Sequence, residues 1–275
     1  MKTTIYYFTG SGNSLVNARR IADGLEKHED EVRIVSIPVA LAAGGDHLQG
    51  LGSHRVGFLF PTYAYGLPRI VKEFVQKVEI PGDAYLFAVA SNFGIPGPVL
   101  KQLDGLLRKK GSRLHAGFSV LDARSSLMED PENDPIQKVM ISANRGKFPQ
   151  RSIDRIEEIV ATIVAERRHP LESSTPLANL IGGMLNPLAS RTLKSMAEYF
   201  WTNDACSSCG TCARICPRGN IRMENGRPVW GDDCEMCHAC IQWCPREAVQ
   251  FKDVTADKPR YRNPEVAVGE LVIRK

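Results

Sequence analysis

The chain has 275 residues, of which 43% are hydrophobic and 24% charged, with a formal charge of +4 and eight cysteines. This length exceeds a typical domain of about 100–200 residues and the composition excludes intrinsic disorder, so two folded domains are expected. All eight cysteines lie between positions 206 and 244, which excludes a disulfide framework spread through a secreted scaffold and predicts metal ligation in a reducing compartment, the cytoplasm.

The first eight residues run straight into a strand-like segment, with neither an apolar signal core nor a small-residue cleavage site, so no export signal is expected. Up to about residue 170, short apolar runs alternate with helical periodicity. The pattern predicts strands at 4–8, 31–37, 55–60, 84–90 and 114–121, and helices at 13–27, 67–78, 98–110 and 153–167. Five strands with crossover helices predict an α/β fold with a doubly wound parallel sheet, whose ligands sit at the carboxyl ends of the strands. Residues 38–51 are too weak for a full second crossover helix, and 122–150 reads as an excursion, expected to be a solvated surface insertion.

Beyond Pro170 comes an uncharged stretch, 173–190, whose Pro176, Pro187, Asn179, Asn186 and Gly182-Gly183 pair argue against a membrane span. An amphipathic helix is expected next, with Asn186 as cap, Pro187 at its first position, and Ala189, Leu193, Met196, Ala197 and Phe200 on one face, packing one domain on the other. The expected organisation is therefore a first domain at 1–169, a linker and helix at 170–200, a cysteine module at 201–253 and a tail at 254–275. The tail, with Val266, Val268, Leu271, Val272 and Ile273, reads as an extended segment lying along a domain surface.

Within the module, Cys206, Cys209, Cys212 and Cys216 precede Pro217, and Cys234, Cys237, Cys240 and Cys244 precede Pro245. The two quartets share the spacing C-x2-C-x2-C-x3-C-P and are offset by 28 residues; Asp204 then matches Asp232, Arg218 matches Arg246 and Ile221 matches Val249, as in two halves related by an approximate twofold. Three thiolates at this spacing can wrap one side of a cubane while the fourth points away. A pair of structural zinc sites would use two CxxC knuckles rather than two quartets with trailing prolines. His238 is expected to be a solvated loop residue, and Trp230 and Trp243 are expected to pack around the module or to line an electron path.

After the first strand comes Thr9-Gly10-Ser11-Gly12-Asn13-Ser14, followed by a helix. Small residues let successive backbone N–H groups converge on a phosphate, the hydroxyls add donors, and the helix N-terminus favours negative charge. Leu15 replaces the third glycine of the dinucleotide fingerprint and no acid ends the second strand, which disfavours NAD; no Gly-Lys-Ser/Thr of a P-loop is present.

This loop resembles the phosphate loop of flavodoxins at every position of its Thr/Ser-x-Thr/Ser-Gly-x-Thr/Ser pattern. The segment Pro61-Thr62-Tyr63-Ala64-Tyr65-Gly66 is similar to their first isoalloxazine loop, and Ser91-Asn92-Phe93-Gly94, continuing to Gly97, resembles the second. The resemblance implies FMN, with Tyr63 the first choice for stacking and Tyr65 and Phe93 next. The cysteine run resembles bacterial two-cluster ferredoxins. That resemblance implies two 4Fe-4S clusters, one on Cys206, Cys209, Cys212 and Cys244, the other on Cys234, Cys237, Cys240 and Cys216. The whole resembles the flavodoxin-ferredoxin fusion proteins of anaerobes, with a flavodoxin-like domain followed by a small α+β ferredoxin-like domain.

A cluster passes one electron at a time and a flavin one or two, so the resemblance implies an electron-transfer flavoprotein relaying single electrons between clusters and FMN and exchanging them with ferredoxin-type partners. An FMN-dependent reductase of a small acceptor such as a quinone, and a redox-sensing interaction protein, are the alternatives. No constellation demands acid-base or covalent catalysis, so no catalytic residue is expected. With about −2 from each oxidised cluster and about −2 from an FMN phosphate, the basic balance of the bare chain disappears and implies no nucleic-acid partner; it fits docking of the two parts, or an acidic redox protein.

Overall fold

Strand β1 (Lys2–Tyr7) is buried along all but its first residue, as an inner strand of a parallel sheet covered on both faces should be. It pairs in parallel with β2 (Glu31–Ser36) on one side and β3 (Arg55–Pro61) on the other; β4 (Tyr85–Asn92) and β5 (Ala116–Leu121) extend the sheet. The order is β2-β1-β3-β4-β5, which is the flavodoxin-like doubly wound order, with its switch point between β1 and β3. The computed structural model describes residues 1–48, 52–63, 66–92, 96–122, 148–176, 179–180, 183–184, 192 and 194–273.

Because side chains alternate along a strand, Ile5 and Tyr7 enter one core and Tyr6 and Phe8 the other. The first core is closed by α1 (Asn13–Glu26) and α5 (Phe148–Val164), through Ile21, Leu25, Ile159 and Ile163. The second is closed by α2 (Ile37–Ala43), α3 (Arg69–Lys77) and α4 (Val99–Arg108), through Ala40, Ile70, Phe74, Leu103 and Leu107. The weak second crossover is a seven-residue helix followed by a 3-10 turn at Gly45–Leu48.

The expected boundaries shift where a specific group intervenes. Helix α3 starts at Arg69 rather than 67 because Leu67 precedes Pro68, which disfavours helical backbone, and Leu67 donates its N–H to Gln102 Oε1 instead. Strand β5 starts at Ala116 rather than 114 because the Leu114 N–H goes to Asp104 Oδ1. Helix α5 begins at Phe148 rather than 153.

The cysteine module contains β6 (Phe200–Thr202), α6 (Thr211–Arg214), β7 (Ile221–Glu224), β8 (Arg227–Trp230), α7 (Ala239–Gln242) and β9 (Val249–Phe251). Strands β6 and β9 pair antiparallel, as do β7 and β8. The 28-residue repeat is visible in the backbone: α6 maps onto α7, and left-handed Ser208, Gly210 and Gly219 map onto left-handed Met236, His238 and Glu247.

The amphipathic helix expected before the module is corrected in its last turns. Residues Met196–Tyr199 form a 3-10 turn and Phe200 opens β6, its ring packed on Phe251 and Trp230. Pairing with Phe251 rewards extended backbone at Phe200 more than one further helical turn would. Asn186, Pro187, Ala189 and Leu193 lie outside the described residues, as do most of the uncharged linker and residues 123–147 of the excursion. The tail is not wholly extended, since Val268–Leu271 form a 3-10 turn, and Val266, Leu271 and Val272 pack into the first core.

Candidate functional site

Two cavities lie in the module. One is lined by Cys206, Cys209, Cys212 and Cys244; the other by Cys216, Cys234, Cys237 and Cys240. Each therefore gathers three cysteines of one quartet and the last of the other, because the turn into each proline carries the fourth thiol across the approximate twofold. Among the described residues no three His, Cys, Asp or Glu side chains converge on a single-ion site; the thiols instead stand around the cavity walls.

Backbone N–H groups aim at these sulfurs in matched positions. Asn220 N–H donates to Cys216 Sγ and Ala248 N–H to Cys244 Sγ, both at 3.3 Å, and Met236 N–H donates to Cys234 Sγ at 3.3 Å. Burial pushes the Cys212 and Cys234 thiols up to about 11, and Cys237 and Cys240 well above the ordinary thiol range. Thiols this dry ionise only against positive charge inside the cavity, which is the chemistry of an iron-sulfur core. Trp230 Nε1 is buried without a hydrogen-bond partner, and its nearness to Cys240 opposes slightly the rise in that thiol's pKa. The donor set thus fits a sulfur-rich cluster. His238 corrects the expectation of a solvated loop residue: it is buried, Nε2 has no partner, and burial pushes its pKa down to about 4. Its backbone is left-handed, and it lies between Cys237 and Cys240.

The loop at 9–14 lies at the carboxyl end of β1. Ser11, Asn13 and Ser14 are buried, Gly12 has φ of 103°, and Thr9 Oγ1 accepts the Gly12 N–H at 2.9 Å. Pro61 ends β3, Thr62 N–H donates to Ser91 O at 2.9 Å, and Tyr63 and Gly66 bridge each other. Thr62 Oγ1 is buried without a partner, an orphaned donor and acceptor fitting a polar ring edge. Tyr63 meets Phe8 edge-on at 5.9 Å between ring centroids, and its hydroxyl sits against Gly10.

Ser91 Oγ receives the Ser14 hydroxyl at 3.4 Å and Asn17 Nδ2 at 3.3 Å, so the loop at 9–14 meets the one that begins at Ser91. Asn92 turns instead to β5, donating to Ser119 Oγ at 2.7 Å, and Gly97 N–H donates to Ser174 Oγ at 2.9 Å. Ala64, Tyr65, Phe93 and Gly94 lie outside the described residues.

Sequence reasoning missed Asp122, which follows β5 and accepts Asn17 Nδ2 at 2.9 Å; burial pushes its pKa up to about 6 against the bonds from Ser91 and Asn17. Its only signal was an acid at the carboxyl end of a strand, where ligands of such sheets gather.

The module is seated on the sheet's carboxyl edge. Arg69, at the start of α3, bonds Cys234 O at 2.9 Å and pairs with Asp233; Arg218 joins Asp233 to Glu73 of α3, at 2.6 Å to each. Ile70 N–H donates to Glu235 Oε2 at 3.2 Å. Trp243, only 3% exposed, donates its indole N–H to Gly10 O at 2.8 Å, so the phosphate-type loop touches the segment between Cys240 and Cys244.

Residues 198–251 match the 4Fe-4S dicluster domain family. No curated protein matches the chain. Solved structures with some likeness include a short-chain flavodoxin associated with a non-canonical PDU bacterial microcompartment, 16% identical over 60% of this chain and 97% of its own, with a TM-score of 0.41. A flavodoxin from the domain Archaea is 17% identical over 58% of this chain and 99% of its own, with a TM-score of 0.36. Flavodoxin 1 from Bacillus cereus is 12% identical over 60% of this chain and 98% of its own, with a TM-score of 0.39. These likenesses are slight, and the strand order itself marks the fold as flavodoxin-like. No helix among the described residues is long and apolar enough to cross a membrane. The chain joins a flavodoxin-like α/β fold to a 4Fe-4S dicluster segment, the make-up of an electron-transfer redox protein.

Proposed function

We propose that the chain relays single electrons between two 4Fe-4S clusters and FMN, exchanging them with an external ferredoxin-type protein in the cytoplasm. The observation that carries this reading is the partition of eight cysteines into two cavities, the second of which has Cys237 on its wall and against the phosphate-type loop. Bound there, the clusters supply one-electron exchange and the flavin the capacity for one or two electrons.

In this reading Cys206, Cys209, Cys212 and Cys244 hold one cluster and Cys216, Cys234, Cys237 and Cys240 the other. The N–H groups of Asn220, Ala248 and Met236 temper the thiolate charge. Thr9 to Ser14 grip the phosphate, Thr62 offers its unpartnered hydroxyl to the ring, and Tyr63 walls the space between ring and module. The Arg69–Asp233–Arg218–Glu73 network fixes the distance between the halves. The domain limits 1–169, 170–200, 201–253 and 254–275 follow the same reading, with the tail serving the first domain.

Anaerobic preparation with iron, sulfide and flavin analysis tests it. About eight iron, eight acid-labile sulfide and one FMN per chain are expected for two cubanes and one flavin; zinc in place of iron, or a chain that takes up no flavin, overturns it.

A further inference from the structure

The loop that the proposed function assigns to the flavin phosphate is completed from the far end of the chain. Gly10 O accepts Trp243 Nε1–H at 2.8 Å, and Ser11 O accepts the Asn263 backbone N–H at 2.8 Å. Asn13 Oδ1 accepts the Tyr261 hydroxyl at 2.8 Å and Asn263 Nδ2 at 3.0 Å. Four hydrogen bonds therefore reach three acceptors of the loop, on Gly10, Ser11 and Asn13, and every donor comes from beyond residue 240.

In a trans peptide the carbonyl and the following N–H point in opposite directions. With Gly10 O held toward Trp243, Ser11 N–H is turned to the other side; with Ser11 O held toward Asn263, Gly12 N–H is turned away too, onto Thr9 Oγ1. Trp243 and the strap formed by residues 261–273 thus draw the loop's carbonyls, which an anion would repel, to the outside. The strap also closes over Gly12, where a Cβ would lie 3.0 Å from Asn263 Cβ and 3.2 Å from Val266 Cγ2.

The strap is itself tied down on the middle of α1 and on the module. Arg20 pairs with Glu265 at 2.7 Å, Arg19 pairs with Glu270, and Ile273 N–H donates to Arg214 O of the module at 3.0 Å. Tyr261 N–H is held by Gln242 Oε1 at 2.7 Å, so the strap is in register with α7 of the module.

We propose that Tyr261, Asn263 and Trp243 are positioning residues of the phosphate loop, so that the grip of the N-terminal domain on a phosphate monoester depends on the C-terminal strap. This rests on the reading of the loop as an FMN phosphate site. None of the three need touch the flavin; they act through Gly10, Ser11 and Asn13.

The test uses the full chain, loaded anaerobically with clusters, and compares FMN with riboflavin, which lacks the phosphate. Dissociation constants are read from flavin fluorescence, and cluster absorbance is followed in the same samples. Tyr261→Phe, which loses a hydroxyl and little packing, is expected to weaken FMN about threefold, and Tyr261→Phe with Asn263→Ala about tenfold. Riboflavin binding should stay within about twofold and cluster absorbance should not change. Loss of FMN and riboflavin affinity together would make the strap a packing element only and overturn the inference, as would FMN affinity unchanged in both variants. Should the unaltered chain bind riboflavin as tightly as FMN, the phosphate reading itself fails, and the inference with it; that outcome is seen in the parent protein before any variant is compared.

Discussion

Replacing Gly10 by alanine tests the seat between the two halves at a single atom. A Cβ on Gly10 would overlap the Cys237 carbonyl oxygen, lie 2.9 Å from the Tyr63 hydroxyl and 3.3 Å from Cys237 Cβ. Ordinary C···O contacts are about 3.3–3.6 Å, so the loop and the cysteine segment must part by about one ångström. Gly10 is not among the glycines with left-handed φ, so the penalty is steric rather than conformational. The carbonyl belongs to backbone between Cys234 and Cys240 and cannot swing aside as a side-chain tip would. Overpacking of this kind costs about 2 kcal/mol, which in a chain of this size lowers Tm by about 4–8 °C. Thermal unfolding of the cluster-loaded protein under argon, followed by circular dichroism, measures it. Gly105→Ala is the control: it sits mid-helix in α4 with nothing within 4 Å of its Cβ, and should gain about 0.5–1 kcal/mol. A Gly10→Ala protein melting with or above the parent would refute the contact between the phosphate loop and Cys237.

Other outcomes follow from the same structure. Asp122 has a folded pKa raised to about 6 from 3.8, so the protonated form stabilises the fold below about pH 4 and that contribution is lost as pH rises through 6. Asp122→Asn, which keeps an acceptor for Asn17, should match the parent in urea unfolding at pH 4 and exceed it by about 1–3 kcal/mol at pH 7; equal stability at both pH values counts against the buried carboxyl. Arg55 and Asp30 form an ion pair with both side chains 4% exposed, and Arg55 also bonds Val164 O at 3.0 Å. Arg55→Met should cost about 3–5 kcal/mol, and adding Asp30→Asn should recover part of it, because the buried carboxylate otherwise keeps only the Met1 ammonium, at 3.0 Å, as its partner. Cys244→Ala should alter the same electron paramagnetic signal as Cys206→Ala, since both line one cavity; a pattern shared with Cys234→Ala would break the crossed ligation.

Much of the sheet was legible because inner parallel strands are continuous apolar runs, as at 55–60, within a residue of the observed β3, whereas the edge strand β2, expected at 31–37, showed itself by alternating apolar and polar residues. The grouping of the cysteines was legible because two equal quartets 28 residues apart, each with its fourth cysteine set off before a proline, resemble the crossed pattern of two-cluster ferredoxins, and the two cavities are lined in that pattern. The misses share a cause: they depend on contacts between residues far apart in sequence. Phe200 sits at the end of a helical pattern, yet its partner is Phe251, and pairing across the module decides its conformation. His238 looks like a polar loop residue until the turns around Cys237 and Cys240 bury it. Asp122 acquires its raised pKa from burial, which outweighs the bonds from Asn17 and Ser91 on other elements and exists only once those elements are packed. The tail's short apolar pattern announced a surface contact, but nothing in it named the loop at Gly10 to Asn13 as the surface.

The account stands on electron exchange within one chain, and rapid-mixing spectroscopy measures it directly. Protein with the cluster and flavin bands resolved is mixed anaerobically with a substoichiometric one-electron reductant, and redistribution between the two bands is followed at several protein concentrations. The expected result is a first-order phase whose rate does not change with concentration. A rate that scales with concentration, or two bands that never exchange, would contradict it.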